Sequence, residues 1–367
     1  MPSASNPLVG LTLRGKAVDH AGPMQAAAAS RPRAARPAGR RDVLLDVLRP
    51  RVEARGLPFE FVIEVTSRCN LVCPMCPREI SPDVGNKDMQ IETFQRVFER
   101  IKETARFVWF AGLGEPMMSK HLMRMIAAVR AAGIATGMST NGTFLTKKLR
   151  ERLLDSGLDL MIASFDGADK STYEQIRVGA DFDKVCENIR AFAALKARRR
   201  APWPWLILQM IELSPTRHQA KEFRRMWAIP GVDAVRIKKD ELQFVESLGF
   251  EGQRKRQTDR PCPYLWRGTM YIHWDGAVSP CCYGSHDKTF GNLLDSSVEE
   301  LWNSARVRSV RSAHLSGSGV NEPFCKNCNT FQPGKIPMAA SVLVPSLTQK
   351  KYAGVVEAVN RFLPVME

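Results

Sequence analysis

The sequence lacks any hydrophobic run of the roughly 18 apolar residues that a membrane-spanning helix needs. Its first ten residues contain no Lys or Arg, and the apolar piece at 8–13 is too short for a secretory signal. These absences exclude an integral membrane protein, and they predict a cytoplasmic chain without an export signal.

The chain also lacks the interleaved basic and aromatic residues that are typical of RNA-binding modules. It is nevertheless basic, with 53 Lys and Arg against 38 Asp and Glu and a net charge of +15. We interpret the excess as a solvated basic tail and a scattered basic surface, which suits an anionic substrate. Neither a nucleic acid nor a membrane is therefore expected as a partner.

Nine cysteines are present, and an odd number without an export signal argues against a disulfide framework. Eight of them fall into two groups, which is typical of metal ligation in a reducing compartment. The groups are Cys69, Cys73 and Cys76, and then Cys262, Cys281, Cys282, Cys325 and Cys328. The ninth, Cys186, lies in a helical run and is expected in the core.

Between the two groups the hydrophobic pattern alternates between strands and helices. Six strands are predicted, at 59–66, 107–111, 134–139, 158–165, 205–212 and 234–238. This alternation predicts an α/β fold, a partial (β/α)6 barrel with a small C-terminal cysteine-rich iron–sulfur module. Chemistry in such barrels lies at the carboxyl ends of the strands.

Changes in composition suggest five segments along the chain. They are a disordered basic tail at 1–41, a short helical lead-in at 42–58, the barrel at 59–254, the cysteine-rich module at 255–332, and a C-terminal tail with a helix at 333–367. The module is expected to be a separate unit, because the alternation of strands and helices stops where its cysteines begin.

The first cysteine group has the spacing C-x3-C-x2-C and directly follows the first predicted strand. Three thiolates on so short a loop suit an iron–sulfur cube with one open iron better than a structural zinc site, which takes four ligands. The segment from Glu64 to Cys76 resembles the radical S-adenosylmethionine (radical SAM) enzymes. The resemblance implies that Cys69, Cys73 and Cys76 hold a [4Fe–4S] cluster that binds S-adenosylmethionine, whose cleavage yields a hydrogen-abstracting 5′-deoxyadenosyl radical.

Three further motifs of this family follow in order, each at the end of a predicted strand. They are Gly112-Leu113-Gly114-Glu115-Pro116, Ser139-Thr140-Asn141-Gly142, and Ser164-Phe165-Asp166-Gly167 with Tyr173 and Arg177. The resemblance implies that S-adenosylmethionine is bound by Gly114, Glu115, Pro116, Ser139, Asn141, Ser164 and Arg177. In this scheme Ser164 donates to the methionyl carboxylate and Arg177 pairs with it.

The second cysteine group admits two interpretations, a four-cysteine zinc site and an iron–sulfur site. The order Asp275-Gly276 to Pro280-Cys281, Gly291-Asn292-Leu293, then a C-x2-C pair resembles the SPASM/Twitch auxiliary-cluster module. Five cysteines suffice for one cluster, so two [4Fe–4S] clusters are expected in all. The implied ligands of the auxiliary cluster are Cys262, Cys281, Cys325 and Cys328. Cys282 would then be a thiol beside that cluster, either a buried packing residue or else a hydrogen-atom donor or an alternate ligand in place of Cys281.

The resemblance implies a radical SAM enzyme acting on a small molecule, such as a sugar, aminocyclitol or sugar nucleoside of natural-product biosynthesis, by oxidation, epimerisation or decarboxylation. The short lead-in and the single auxiliary cluster favour this class. Two alternatives stay open: a maturase that modifies a ribosomal peptide, and a noncatalytic metal-stabilised scaffold that binds RNA. An enzyme of this family also needs a one-electron reductant such as flavodoxin or ferredoxin.

Overall fold

The computed structural model describes residues 40–80, 85–239, 261–279 and 288–325, together with positions 12, 13, 281, 335, 338, 339 and 342. Cys282 and Cys328 lie outside these residues, as do most of the predicted tails at 1–41 and 333–367. Among the described residues, no helix combines the length and the hydrophobicity that a membrane crossing requires.

Nine strands of the described residues form a single sheet in the order β1-β7-β6-β5-β4-β3-β2-β8-β9. Their bounds are β1 Thr12–Leu13, β2 Glu60–Ile63, β3 Phe107–Phe110, β4 Ala135–Thr140, β5 Leu160–Ser164, β6 Trp205–Glu212, β7 Ala234–Lys239, β8 Thr269–Ile272 and β9 Val278–Ser279. The six strands β2 to β7 are parallel neighbours in chain order, which confirms the predicted α/β fold class. Strand β1 pairs antiparallel with β7, within a segment predicted to be disordered.

Helices of the described residues follow the strands and lie on the outer face of the sheet. They are α1 Arg40–Leu48, α2 Ile91–Ile101, α3 Leu122–Ala131, α4 Lys147–Asp155, α5 Lys170–Ile176, α6 Phe182–Arg198, α7 Ala220–Trp227, α8 Val298–Trp302 and α9 Ala305–Leu315. Helix α2 shows why: Ile91, Phe94, Phe98 and Ile101 recur at spacings of three and four residues and are all buried. Burial of this face is the main source of stability for such a helix.

The concave face of the sheet has its own apolar cluster, which includes Val62, Trp109, Ile162 and Ile207. Gly137 lies among them on β4, where an added Cβ would come within 2.0 Å of the Trp109 ring. A glycine is needed at this position because the indole fills the space that a side chain would occupy.

The first two strands of the cysteine-rich module join the sheet of the barrel. Strand β8 pairs parallel with β2, from Glu60 opposite Thr269 to Ile63 opposite Ile272, and β9 turns back on β8. The first hairpin of the module therefore continues the sheet beyond the first barrel strand. An unpaired edge at β2 would expose hydrogen-bonding groups, and β8 covers them.

The lead-in also packs on the module. The indole nitrogen of Trp266 donates to the carbonyl of Arg51 over 2.6 Å, and that of Trp302 donates to Gly56 over 2.9 Å. The Asn303 side chain accepts a hydrogen bond from the Ala54 N–H at 2.9 Å and donates one to the Ala54 carbonyl at 3.0 Å. Residues 51–56 therefore join the start of the barrel to the C-terminal part of the chain.

Candidate functional site

The three cysteines of the first group lie on the loop after β2 and pack around one apolar cluster. Leu71, Ile176 and Leu213 form this cluster together with buried Cys73, and Cys69 and Cys76 lie against it. The backbone fixes the loop, because the Val72 N–H donates to the carbonyl of Val178 over 2.9 Å. The structure thus packs Cys69, Cys73 and Cys76 against the same apolar cluster, on the loop that follows the carboxyl end of β2.

Burial raises the pKa of all three thiols, to about 11 for Cys76. The Arg177 guanidinium opposes this shift at Cys73, and Asn141 directs its amide Nδ2 toward the Cys69 sulfur at 3.9 Å. Thiols in such surroundings stay protonated unless a metal supplies positive charge. Three neighbouring thiols with one cation and one amide nearby form a donor set that fits an iron–sulfur cluster with three protein ligands.

The turn after β3 is fixed against this cysteine loop. The Glu115 N–H donates to the carbonyl of Arg68 over 2.8 Å. A Cβ added to Gly114 would lie 2.2 Å from the Thr66 carbonyl oxygen and 2.6 Å from that of Arg68. Gly114 is therefore the residue that permits the two loops to touch.

Glu115 is buried and joins the ends of two strands. Its carboxylate accepts hydrogen bonds from Thr140 Oγ1 and the Asn141 N–H, both at 2.7 Å, and from the Met117 N–H at 3.2 Å. Burial raises the pKa of Glu115, and these bonds oppose the shift. The Glu115 carboxylate therefore bonds to groups of the protein itself and holds the turn at Pro116 against the end of β4.

The other residues predicted to bind S-adenosylmethionine surround the same strand ends. Asn141 donates to the Asn70 side chain over 3.0 Å and accepts from Thr143, so it fixes the cysteine loop to the end of β4. Ser139 and Ser164 are half-buried on β4 and β5. Arg177 ends α5 in an ion pair with Asp166, which is buried. Their roles toward S-adenosylmethionine stay predictions.

A buried polar cluster at the mouth of the barrel was missed by the sequence analysis. Glu64, at the end of β2, accepts hydrogen bonds from the Tyr271 hydroxyl at 3.1 Å and from the Leu113 N–H at 3.2 Å. The His273 Nδ1 lies 3.8 Å from its other oxygen. The signal that could have revealed it is the alternation of Thr269 and Tyr271 on β8 with His273 directly after it, but their partner is recognisable only once β8 pairs with β2.

In the module, Cys262, Cys281 and Cys325 are half-buried and pack against the main core. The structure brings two of them to one imidazole: the Cys262 N–H lies 3.3 Å from His314 Nδ1, and the Cys325 sulfur lies 3.2 Å from His314 Nε2. The half-buried Cys325 thiol therefore lies beside a buried imidazole, an arrangement common at the sulfur ligands of soft metal centres. Because Cys282 and Cys328 lie outside the described residues, their predicted roles stay predictions.

Two family models match the chain. The Radical SAM superfamily model matches residues 63–199, and the SPASM model, an iron–sulfur cluster-binding domain, matches residues 262–329. The first contains all three cysteines of the first group and the three strand-end motifs, and the second contains the whole second group. These matches confirm the cofactors implied above, which are [4Fe–4S] clusters and S-adenosylmethionine.

Known proteins are similar over about three quarters of the chain. A tungsten-containing aldehyde ferredoxin oxidoreductase cofactor-modifying protein from Pyrococcus furiosus is 25% identical over 73% of this chain and 86% of its own length. A PqqA peptide cyclase from Xanthomonas campestris pv. campestris is 27% identical over 74% of this chain and 79% of its own length. The structure of Streptococcus suis SuiB bound to its precursor peptide SuiA shares the fold, with a TM-score of 0.55 at 15% identity, over 76% of this chain and 72% of that one. With both domains and their cysteines in place, this chain belongs to the radical SAM superfamily and carries a C-terminal SPASM domain.

Proposed function

We propose that this radical SAM enzyme modifies a peptide substrate. The observation that carries the proposal is its similarity to PqqA peptide cyclases, which extends through both the barrel and the module. The cysteine count favoured a small-molecule substrate over a peptide, and this similarity reverses that order. An enzymatic role is supported over the noncatalytic scaffold because the strand-end motifs converge on one site beside the cysteine loop.

Cys69, Cys73 and Cys76 would hold the [4Fe–4S] cluster of the barrel, and the residues at the ends of β3, β4 and β5 would bind S-adenosylmethionine. When bound, these cofactors together supply a one-electron cleavage that produces a hydrogen-abstracting radical. The protein's contribution is to fix the loops: Glu115 joins the ends of β3 and β4, and Asn141 joins β4 to the cysteine loop. Such positioning reduces the reorganisation that the reaction would otherwise require.

The cluster of Glu64, Tyr271 and His273 would orient the substrate at the mouth of the barrel. Glu64 comes from the barrel, whereas Tyr271 and His273 come from the module, so the substrate would meet both domains. Hydrogen bonds within the cluster fix the Glu64 carboxylate and leave it able to accept from a substrate N–H.

A small-molecule substrate is the second candidate, and the number of cysteines favours it. Residues 262–328 contain five cysteines, enough for one auxiliary cluster of four ligands. A sugar or aminocyclitol with an anionic group would suit the net charge of +15. In this candidate Cys282 remains the proposed hydrogen-atom donor, and replacing it with Ala would abolish the incorporation of solvent deuterium into a redox-neutral product.

The sensitivity of the substrate to protease separates the two candidates. The reconstituted enzyme is incubated with dithionite, S-adenosylmethionine and cell extract, and substrate-dependent 5′-deoxyadenosine is measured. We expect extract digested with proteinase K, which is then inactivated, to lose this stimulation. Undiminished stimulation by digested extract, retained in a low-molecular-mass filtrate, would instead establish the small-molecule candidate. Extract treated with inactivated protease is the control.

A further inference from the structure

His314 lies between two cysteines of the module that are far apart in sequence. It occupies the last turn of α9, and its side chain is 5% exposed. Its Nδ1 is 3.3 Å from the backbone nitrogen of Cys262, and its Nε2 is 3.2 Å from the sulfur of Cys325. One buried imidazole thus contacts the first and the third cysteine of the predicted auxiliary-cluster ligand set.

These two contacts fix where the imidazole proton lies. The backbone N–H of Cys262 can only donate, so His314 Nδ1 must be the acceptor. A neutral imidazole with an acceptor at Nδ1 carries its proton on Nε2. The N–H at Nε2 therefore donates to the Cys325 sulfur, as a histidine beside a metal ligand commonly donates to it.

Packing leaves the ring little freedom to move. A Cβ added to Gly319 would lie 2.5 Å from His314 Nδ1 and 2.6 Å from Cγ, so the turn after α9 closes directly over the ring. On the same helix, Arg311 is buried, donates to the Leu265 carbonyl at 3.0 Å and stacks on Trp302. Helix α9 is therefore anchored one turn before His314, which fixes the position of the imidazole.

We propose that His314 is a positioning residue that donates a hydrogen bond from Nε2 to the thiolate of Cys325 and thereby raises the reduction potential of the auxiliary cluster. Reduction adds negative charge to a cluster and its sulfur ligands. An N–H donor at a ligand sulfur stabilises this charge, and hydrogen bonds to sulfur are among the features that set cluster potentials. The proposal depends on Cys325 as a ligand and not on the class of substrate.

The test measures the auxiliary cluster alone, in full-length protein with Cys69, Cys73 and Cys76 replaced by Ala. Into this background we introduce His314→Phe, which keeps a ring but removes both nitrogens, and His314→Gln, whose amide can place an N–H near the Nε2 position. His121→Phe, at the start of α3 in the barrel, is the matched control. The measurements are iron content and the midpoint potential from a redox titration followed by EPR.

We expect His314→Phe to retain the iron of the parent and to shift the midpoint potential to a more negative value. His314→Gln should restore most of the shift, and His121→Phe should leave the potential unchanged. An unchanged potential in His314→Phe would overturn the proposal, since His314 would then serve packing alone. Iron loss in both His314 variants would overturn it in favour of direct ligation, and full iron retention in Cys325→Ala would overturn it by removing Cys325 from the ligand set.

Discussion

Arg177 and Asp166 form a buried ion pair directly beneath the cysteine loop. The guanidinium Nη2 and Nε lie 2.5 and 2.7 Å from Asp166 Oδ2, and the other carboxylate oxygen accepts the Ile211 N–H at 2.6 Å. The Asp166 side chain is fully buried. The pair therefore connects the end of β5, the end of α5 and β6 at one point.

Replacing Arg177 with Met should destabilise the protein by about 3–5 kcal/mol, because it leaves the Asp166 charge buried without its partner. The measurement is urea unfolding of the apo protein under anaerobic conditions. Arg225→Met is the control: its ion pair with Glu222 is exposed, and its loss should cost less than about 1 kcal/mol. Equal, small losses for the two variants would contradict the prediction.

Replacing Cys69, Cys73 and Cys76 together with Ala should remove one of two clusters. We expect iron to fall from about eight to about four per chain, because each [4Fe–4S] cluster contains four irons. Formation of 5′-deoxyadenosine should stop as well. Iron analysis and chromatography check the two outcomes, with Cys186→Ala as the control that keeps both clusters. Continued cleavage in the triple variant would refute the assignment, and one equivalent of zinc in place of the second cluster would make the module a structural zinc site.

Gly114→Ala should displace the cysteine loop. Its Cβ would overlap the backbone carbonyls of Thr66 and Arg68, and backbone cannot rotate away as a flexible side chain can. We expect the variant to bind less iron at the barrel site and to retain the module's iron. Gly317→Ala is the control, since its φ of 80° costs backbone strain of about 1 kcal/mol while its Cβ meets nothing within 4 Å. The same iron content in both variants would show that the contact is unimportant.

Cys186 should resist alkylation in the folded protein. Burial raises the pKa of its thiol to about 12, so at pH 8 only about one thiol in ten thousand is the reactive thiolate. Reaction with iodoacetamide, followed by peptide mapping, should be slow and should accelerate about tenfold for each unit that the pH rises. Protein unfolded in guanidinium should react rapidly at pH 8. Rapid reaction of the folded protein at pH 8 would place Cys186 outside the core.

The barrel strands were predictable because each is a short apolar run between turn signals. Strand β6 coincides with the prediction at 205–212, and the parallel order of β2 to β7 follows from the intervening helices. Strand β8 was not assigned to the barrel, because nothing within Thr269–Ile272 specifies which edge it will join. That choice depends on the exposed edge of β2 and is a property of the tertiary structure.

The same distinction holds within the site. Cys69, Cys73 and Cys76 were recognisable because their spacing alone limits the chemistry of one short loop. His314 has no such pattern, since its partners are 11 and 52 residues away in the chain. Glu64 likewise gains its role from Tyr271, which is 207 residues away. Short-range spacing reveals ligands, whereas the groups that orient them are found only in the folded chain.

The pairing of β2 with β8 has a consequence for electron transfer between the two cysteine groups. Cys69 follows the carboxyl end of β2 by six residues, whereas Cys281 follows β9, which runs antiparallel to β8 and returns toward the amino end of that strand. The chain therefore leaves the sheet toward Cys69 and toward Cys281 in opposite directions, so two clusters held there would be farther apart than the about 4.8 Å between neighbouring strands. An electron moving between them would have to travel along the strands of the sheet, and not simply from one strand to its neighbour.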